Sequence, residues 1–456
     1  MPRARIAEIG LLAVALAAQA LLFFRPLHST VNYDEAVYLA AVDALRHGQV
    51  LGSQVFAAQF PGFYDLLRGL SYVFGLSVAG IRTGLLCVYF LGTFGGWLVG
   101  RRFGGALGGL LVAAFLTIAP PLDLFGYQVI ADTPTLALTL LALGVATLPG
   151  TVAAVVAGAL FAGALSIKLT AVTAVPVLIW LLTRRELRHV AATAGFLVAA
   201  AVLLAVHARA LGDLWADGVS YHADARGTPE VIPHPYRQIF DQIPHRTPFL
   251  ALSIAAAVVA LALFVRRRPL GVWPLWAWVV LSIAFLLVHS PLHYNHLVLF
   301  PFSLAVAAAA TLGAALQRLS ARAMALGAAI LALLVVAGYA QQWRRVTLAR
   351  VPEPASNTAA ARALARLTPP TALIVDDRPI ISFLAGRRVI GSLVDTAQLR
   401  FETGSLDDMQ VIAQMQPASA IVLSRVLSRR PAVVRYVSAH YRLRYDRDGV
   451  RIYTRR

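Results

Sequence analysis

Few charged side chains stand beside the long apolar runs of this sequence, and its chemistry must lie among those few. Asp34 and Glu35 follow the first apolar run, in Asn32-Tyr33-Asp34-Glu35. A carboxylate at a membrane boundary can take a proton from an incoming hydroxyl or amine, which is the work of a general base. Both acids also fall in the first turn of an expected helix, where free backbone N–H groups and the helix dipole favour carboxylates without any catalytic role. Asp132 opens a later helix before Thr133-Pro134, so capping competes there with a site role. Asp123, in the same loop, reads as a solvated side chain. Lys168 is the only lysine among 40 basic residues, at the end of an apolar segment in Leu165-Ser166-Ile167-Lys168-Leu169-Thr170. It reads either as a snorkelling helix-end cation or as a point charge for a phosphate or pyrophosphate, and an intramembrane cation is a functional candidate by default.

The histidines divide similarly. His289, His293 and His296 have helical spacings that suggest metal ligation, but Pro291 interrupts that geometry and interfacial hydrogen bonding explains them as well. The sequence assigns no metal ligands and leaves a divalent metal open. Tyr294 suits an aromatic belt or a ring that stacks on substrate. His222, Asp224, Arg226, His234, Arg237, Asp241, His245 and Arg246 offer polar groups without recognisable spacing, and suit the entrance for an acceptor. No phosphate loop, dinucleotide fingerprint or HExxH occurs, so nucleotide hydrolysis and zincin chemistry lack a site, and no nucleic-acid partner is expected. Cys87 is the one cysteine, which excludes an intramolecular disulfide and a cysteine zinc site.

The elements that must position these residues are membrane helices. The 456 residues are 59% hydrophobic and 14% charged, against roughly 25% charged in soluble domains, with a mean hydropathy of +0.70. A soluble single-core protein is excluded. Spanning helices need about 20 mostly apolar residues. About eleven candidates lie near 7–24, 79–100, 104–119, 134–149, 151–167, 169–183, 190–208, 248–265, 271–288, 296–315 and 323–342. The first follows Arg3 and Arg5 and runs into Arg25-Pro26, so it reads as an uncleaved span and not a signal peptide. The runs between 151 and 183 are short, and read either as two spans or as one helix broken near Lys168.

Charge placement orients the bundle. With eleven spans and a cytoplasmic amino terminus, the inner ends hold twelve arginines (Arg3, Arg5, Arg101, Arg102, Arg184, Arg185, Arg188, Arg266, Arg267, Arg268, Arg318, Arg322) against two acids, Glu8 and Glu186. The much longer outer loops hold nine basic and eleven acidic residues. That asymmetry satisfies the positive-inside rule and puts everything after Trp343 outside. We expect two domains, a transmembrane domain over 1–343 and a small extracytoplasmic α/β domain over 344–456. The tail carries 19 arginines and 9 acids; Thr371–Val375 and Ala418–Leu423 read as buried strands, and Tyr441–Tyr453 as a hairpin about Asp448-Gly449. A structural cap accounts for this domain, and its arginines also suit an anionic surface. Three outer segments, about 25–78, 120–133 and 209–247, are long enough to carry function. In the first, Val37, Leu39, Ala41, Val42 and Leu45 form an amphipathic pattern ending at His47-Gly48, as in a helix lying along the membrane surface.

In this order the features resemble the GT-C superfamily of polytopic glycosyltransferases, in its protein O-mannosyltransferase and aminoarabinose transferase-like branch (glycosyltransferase family 39-like). The resemblance is carried by Tyr33-Asp34-Glu35 after the first span, Gly48 ending the next helix, Gln59-Phe60-Pro61 before Phe74-Gly75-Leu76-Ser77 and Arg82, and Arg101-Arg102-Phe103-Gly104-Gly105. Asp132 and Ser166-Ile167-Lys168-Leu169-Thr170 extend it, with His293-Tyr294 and Pro301 as a weaker late match. It covers roughly 1–185. It implies a mainly α polytopic bundle of GT-C type, a multi-pass enzyme of the cell membrane, and a polyprenyl-phosphate-linked sugar as donor. The hexosyl or pentosyl unit would pass to a lipid, glycan or protein acceptor. It further implies Asp34 as base, with Glu35 and Asp132 in the catalytic group, Lys168 and Arg82 at the donor phosphate, and Tyr33, Gln59, His293 and Tyr294 against substrate. Many relatives have a charged residue beside a double proline where this chain has Gln59-Phe60-Pro61-Gly62, a departure that bears on the phosphate contacts.

The implied chemistry is coherent. A glycosyl phosphate already has a stabilised leaving group, so the protein needs a cation and a base, and attack from the opposite face inverts the anomeric carbon. The competing readings are a transporter or flippase, which would set ionisable residues near the midplane of repeated halves, and a membrane scaffold whose tail binds cell-wall polymers.

Overall fold

The apolar runs fold as helix throughout. In the computed structural model the described residues are 2–120, 126–183, 187–227, 235–241, 247–266, 270–289, 292–348 and 350–456. Asp123, Arg184, Arg185, Glu186, His234, His245, Arg246, Arg267, Arg268 and Pro291 lie outside them. Among the described residues, six helices are long and apolar enough to cross a membrane: Arg5–His28, Val78–Ile118, Arg188–Val206, Pro248–Val265, Tyr294–Leu316 and Ala321–Leu348. Four shorter apolar helices, Asp132–Ala146, Thr151–Ile167, Leu169–Leu182 and Trp273–Val288, account for the remaining expected spans. The eleven expected runs thus occupy ten helices, because α3 (Val78–Ile118) contains two of them.

The chain divides into two compact units. A helical unit holds Met1–Leu27, Thr83–Ala205 and Ile232–Arg350; a sheet unit holds His28–Arg82, Val206–Val231 and Val351–Arg456. The tail expected to begin at 344 is therefore joined in its unit by two distant segments.

In the helical unit, α1 (Pro2–Phe24) precedes α3, whose two arms meet at Gly104 (φ −128°) and Gly105 (φ 61°, ψ −165°). Gly105 sits where an L side chain is strained, so the sequence writes the kink as Gly104-Gly105. The arm after the kink packs tightly on Leu299–Leu316: a Cβ added to Gly313 would lie 2.4 Å from the Gly108 Cα. Small residues at such a crossing let backbones approach where lipid supplies no hydrophobic drive between helices. The span containing Leu299–Leu316 is 94% buried within the protein, whereas Arg188–Val206 and Ala321–Leu348 are 11% buried. Helices so apolar and so uncovered require an apolar solvent, which is the bilayer. The question left open between 151 and 183 resolves into a break at Lys168. Thr151–Ile167 ends there, Lys168 is extended (φ −162°, ψ 143°), and a 3-10 turn, Leu169–Ala174, leads into Val175–Leu182.

The sheet unit is built on five strands in the order β2-β1-β3-β5-β4. β1 (Leu373–Asp376) lies between β2 (Arg388–Val389) and β3 (Ala420–Leu423), parallel to both; β5 (Val450–Arg455) is antiparallel to β3 and to β4 (Tyr441–Arg447). Alternation assigns the faces. Ile374, Ala420, Val422 and Ile452 share one core with Ala360, Leu364, Ile380 and Ile381. Val375, Ile421, Leu423 and Tyr453 share the other with Val411, Met415, Val433 and Val437. The hairpin turns at Asp448 (φ 52°) and Gly449 (φ 73°), two left-handed residues in succession as a tight β-turn of this kind requires.

The first-loop helix α2 (Tyr33–Arg46) belongs to this unit. Asn32 Oδ1 accepts the Glu35 N–H at 2.8 Å and Glu35 Oε2 accepts the Asn32 N–H at 3.2 Å, a reciprocal capping box. Its surroundings correct the expectation of a helix lying on the membrane surface. All of Glu35–Val42, with Ala44 and Leu45, is buried in the protein, and Ala36 enters the core with Ile380 and Ile381. Ser29 also forms an isolated antiparallel bridge with Pro352, and Thr30 N–H donates to the Val351 carbonyl at 2.7 Å.

Candidate functional site

Two clusters hold the residues singled out by sequence, one in each unit. The first is the Asn32–Glu35 turn. Glu35 is fully buried and takes both Nε (3.0 Å) and Nη2 (2.7 Å) of Arg82 in a bidentate pair. Arg82, equally buried, also donates from Nη1 to the Ser29 carbonyl (2.9 Å) and hydroxyl (3.3 Å) and from Nη2 to the Thr30 carbonyl (3.1 Å). A guanidinium so engaged is committed to protein acceptors, and the donor-phosphate role implied for Arg82 does not fit where it stands. Glu35, through the capping box and this fork, fixes the turn.

Asp34, between these anchors, is exposed. Its charge reaches Tyr38, one turn on, whose hydroxyl is held well above its ordinary pKa by burial and then by Asp34; the Gln59 side chain hydrogen-bonds that hydroxyl. Tyr38 packs edge-on against Phe63 and Tyr64, with ring centroids 5.0 and 6.1 Å apart. Gln59 and the Asp34 charge thus act on the same tyrosine hydroxyl. The Tyr33 hydroxyl donates to Asp395 Oδ1 at 3.0 Å and accepts from the Thr396 N–H at 2.9 Å, while Arg425 stacks 4.0 Å over its ring. Tyr33 is therefore half-buried, with its hydroxyl and one ring face committed to protein groups.

The second cluster lies in the helical unit. The Asp132 carboxylate accepts from Lys168 Nζ on both oxygens, at 2.7 and 2.8 Å, and from Asn295 Nδ2 on Oδ2 at 3.0 Å. Both charges are buried. The capping role weighed for Asp132 gives way to this ion pair, made at the break that leaves Lys168 extended. His293 belongs to the same surroundings: burial lowers its pKa and the Lys168 charge lowers it further, against a smaller upward pull from Asp132. His296 contacts both neighbours, with ring centroids 4.7 Å from His289 and 5.4 Å from His293. Tyr294 is exposed. Among the described residues no group of three or more His, Cys, Asp or Glu is placed to hold a metal ion.

Several residues of these clusters carried no local signal. Asp395 meets Tyr33 across 362 positions, and Asn295 hides between the histidines. In the third loop Asp224, Arg226, Arg237 and Asp241 are exposed. Among the described residues of that loop, Asp217 accepts the Ala57 N–H at 3.0 Å and its pKa is pushed up to about 6, mainly by burial, while Tyr221 packs edge-on against Phe56.

No protein-family model matches the chain, and comparison with characterised proteins gives no significant sequence match. Its fold is another matter. It is similar to the structure of ArnT from Cupriavidus metallidurans in the apo state, with a TM-score of 0.67 and 15% identity over 99% of this chain and 98% of that one. The likeness extends to ArnT bound to undecaprenyl phosphate (TM-score 0.66, 15% identity, 98% and 97% covered). It extends also to the Archaeoglobus fulgidus oligosaccharyltransferase tethered with an acceptor peptide (TM-score 0.55, 12% identity, 98% and 74% covered). The chain has the GT-C fold. The sequence expectation of a mainly α polytopic bundle of GT-C type with a small α/β part toward the C-terminus is met, and the likeness to ArnT runs across both units. Within this GT-C chain the carboxylate that stays exposed beside locked neighbours is Asp34, and the lysine at the helix break is Lys168.

Proposed function

We propose that this GT-C chain is a membrane glycosyltransferase that moves a sugar from a polyprenyl-phosphate donor to an acceptor hydroxyl or amine with inversion. The observation that carries the reading is the likeness of the whole chain, at 99% coverage, to a glycosyltransferase fold; a second structure of that protein holds undecaprenyl phosphate. Asp34 is the base. It takes the proton of the acceptor nucleophile as a new bond forms to the anomeric carbon, and the bond from that carbon to the phosphate oxygen breaks with its electrons leaving on the polyprenyl phosphate. Lys168 is the cation that offsets charge gathering on that phosphate, a task its compact ammonium can perform by exchanging one anionic partner for another. Asp132 and Asn295 hold Lys168 until then, and His293 and Tyr294 flank the same segment. Attack opposite the leaving group inverts the anomeric centre.

The arginine distribution supports a cell-membrane orientation with the amino terminus cytoplasmic and the sheet unit extracytoplasmic. Donor sugar, carrier length and acceptor belong to the test. Purified wild type and Asp34→Asn, in detergent, are incubated with a panel of radiolabelled polyprenyl-phosphate sugars, and release of sugar to water or added acceptor is scored. Turnover by wild type alone supports both the donor class and Asp34. Equal turnover removes Asp34 as the base, and retention of anomeric configuration in the product removes the single displacement. No turnover in either protein, with labelled substrate moving across proteoliposomes, favours a transporter.

A further inference from the structure

In α/β sheets the crevice beyond the carboxyl ends of the parallel strands is where ligands are commonly held. Here the three parallel strands each deliver one loop to that crevice. The loop after β1 begins with Asp377, whose Oδ1 accepts the Ser424 N–H (2.7 Å) and hydroxyl (2.9 Å) and whose Oδ2 accepts the N–H groups of Arg425 (2.8 Å) and Leu427 (3.0 Å). One buried carboxylate thereby shapes the loop after β3 and presents Arg425 over the Tyr33 ring. The segment after β2 brings Asp395 and Thr396, and it is braced by Arg400, which donates from Nη1 to the Asp395 carbonyl at 2.7 Å and the Ser392 carbonyl at 3.0 Å. Asp395 Oδ1 is itself fixed by the Ala397 N–H at 2.8 Å. What fills the crevice is the chain's own Tyr33, whose hydroxyl both donates and accepts there. Burial, with the Asp395 charge next, keeps that phenol well above its ordinary pKa and hence a donor at any working pH.

We infer that the carboxyl edge of the small sheet is a socket for Tyr33 and that Tyr33, Asp395 and Arg425 are positioning residues which aim the neighbouring Asp34. The sheet unit is then part of the machinery and not a cap. The inference rests on the reading of Asp34 as the base. Its physical basis is that a base displaced by about 1 Å can lose up to a hundredfold in rate, and that Tyr33 and Asp34 are consecutive, so a single peptide bond joins the residue of the socketed phenol to that of the reacting carboxylate.

The test uses the full chain in detergent, with Tyr33→Phe, Asp395→Ala, Asp395→Asn, the Tyr33→Phe/Asp395→Ala double variant, and Asp34→Asn as reference. Tyr33→Phe keeps the ring and its Arg425 contact and deletes only the hydroxyl. We expect kcat to fall about tenfold, the order of one lost hydrogen bond, with donor KM unchanged within twofold. Asp395→Asn retains an acceptor and stays within threefold of wild type, Asp395→Ala matches Tyr33→Phe, and the double variant is no worse than the worse single. Wild-type kcat in Tyr33→Phe while Asp34→Asn is inactive would overturn the socket and leave the base reading standing. A loss that follows thermal stability instead of kcat, undiminished in Asp395→Asn, would reduce Tyr33 to a structural residue and overturn it too. Wild-type turnover in Asp34→Asn would bring down the base reading first, a failure read in a different protein.

Discussion

Glu35–Arg82 and Asp132–Lys168 are both buried carboxylate–cation pairs, and they are built for different ends. Arg82 meets its carboxylate as a two-pronged fork and turns its remaining N–H groups on the Ser29 and Thr30 backbone, with both side chains fully buried. Lys168 meets Asp132 as a point charge at a chain break, with side chains 10% and 2% exposed, and Asn295 shares one Asp132 oxygen. A planar fork with matched partners specifies one geometry, whereas an ammonium with rotatable donors accepts whichever anion arrives. The difference teaches that similar burial does not mean similar purpose: the first pair fixes a turn, and in the proposed reaction the second holds a cation in reserve.

That contrast can be broken experimentally. The largest effect belongs to the residue the first pair supports: Asp34→Asn lowers kcat by about 10² to 10⁴, the range of general base catalysis, in steady-state transfer assays with the fold intact by circular dichroism. Arg82→Ala leaves Glu35 buried without its partner and costs about 3–5 kcal/mol of stability, which is read as a lowered thermal midpoint in detergent before any kinetics are run. Lys168→Gln separates the pairs most sharply. It raises donor KM or lowers kcat/KM by roughly 10- to 100-fold, the value of a charge-assisted contact, and Lys168→Arg recovers part of the loss; a fall in thermal midpoint with kcat/KM unchanged would make Lys168 as structural as Arg82. The smallest effect is a dependence on pH. Asp217 has a folded pKa of about 6, above its unfolded value of about 3.9, so its protonated form favours the folded state. Its contribution is complete below about pH 4 and is lost as pH rises through 6. Partial exposure limits it to about 1 kcal/mol or less. Melting curves between pH 4 and 7 should show that decline in wild type and a flatter profile in Asp217→Asn.

Much of this architecture was legible from local pattern. Long apolar runs mark the helices because lipid forces every backbone group into internal hydrogen bonds, although two expected runs, 79–100 and 104–119, proved to be one helix kinked at Gly104-Gly105. Asp34 and Glu35 mark the first turn of α2, and Asp448-Gly449 the last hairpin. What escaped was contact between distant segments. β2 has only two residues, Arg388 and Val389, too few to show alternation. The burial of α2 was missed because its large apolar side chains suggest a single face, while the opposite side is lined by alanines that pack closely without raising the pattern. In the candidate site, Asp34, Asp132 and Lys168 stood out by type and position. Their partners did not, since neither the Asp395 hydrogen bond to Tyr33 nor the Asn295 bond to Asp132 leaves any spacing in the sequence.

The bridge from Ser29 to Pro352 also sets the timetable on which this protein matures. The Thr30 hydroxyl and the Glu353 carboxylate that receives it are 323 residues apart. At about 5–20 residues per second, a ribosome takes roughly 15 to 65 s to supply the second after the first. Until then the helix bearing Asp34 has neither its sheet nor its socket. On the proposed mechanism, a nascent chain halted after the last membrane helix would lack an aligned base, and transfer would await the final hundred or so residues.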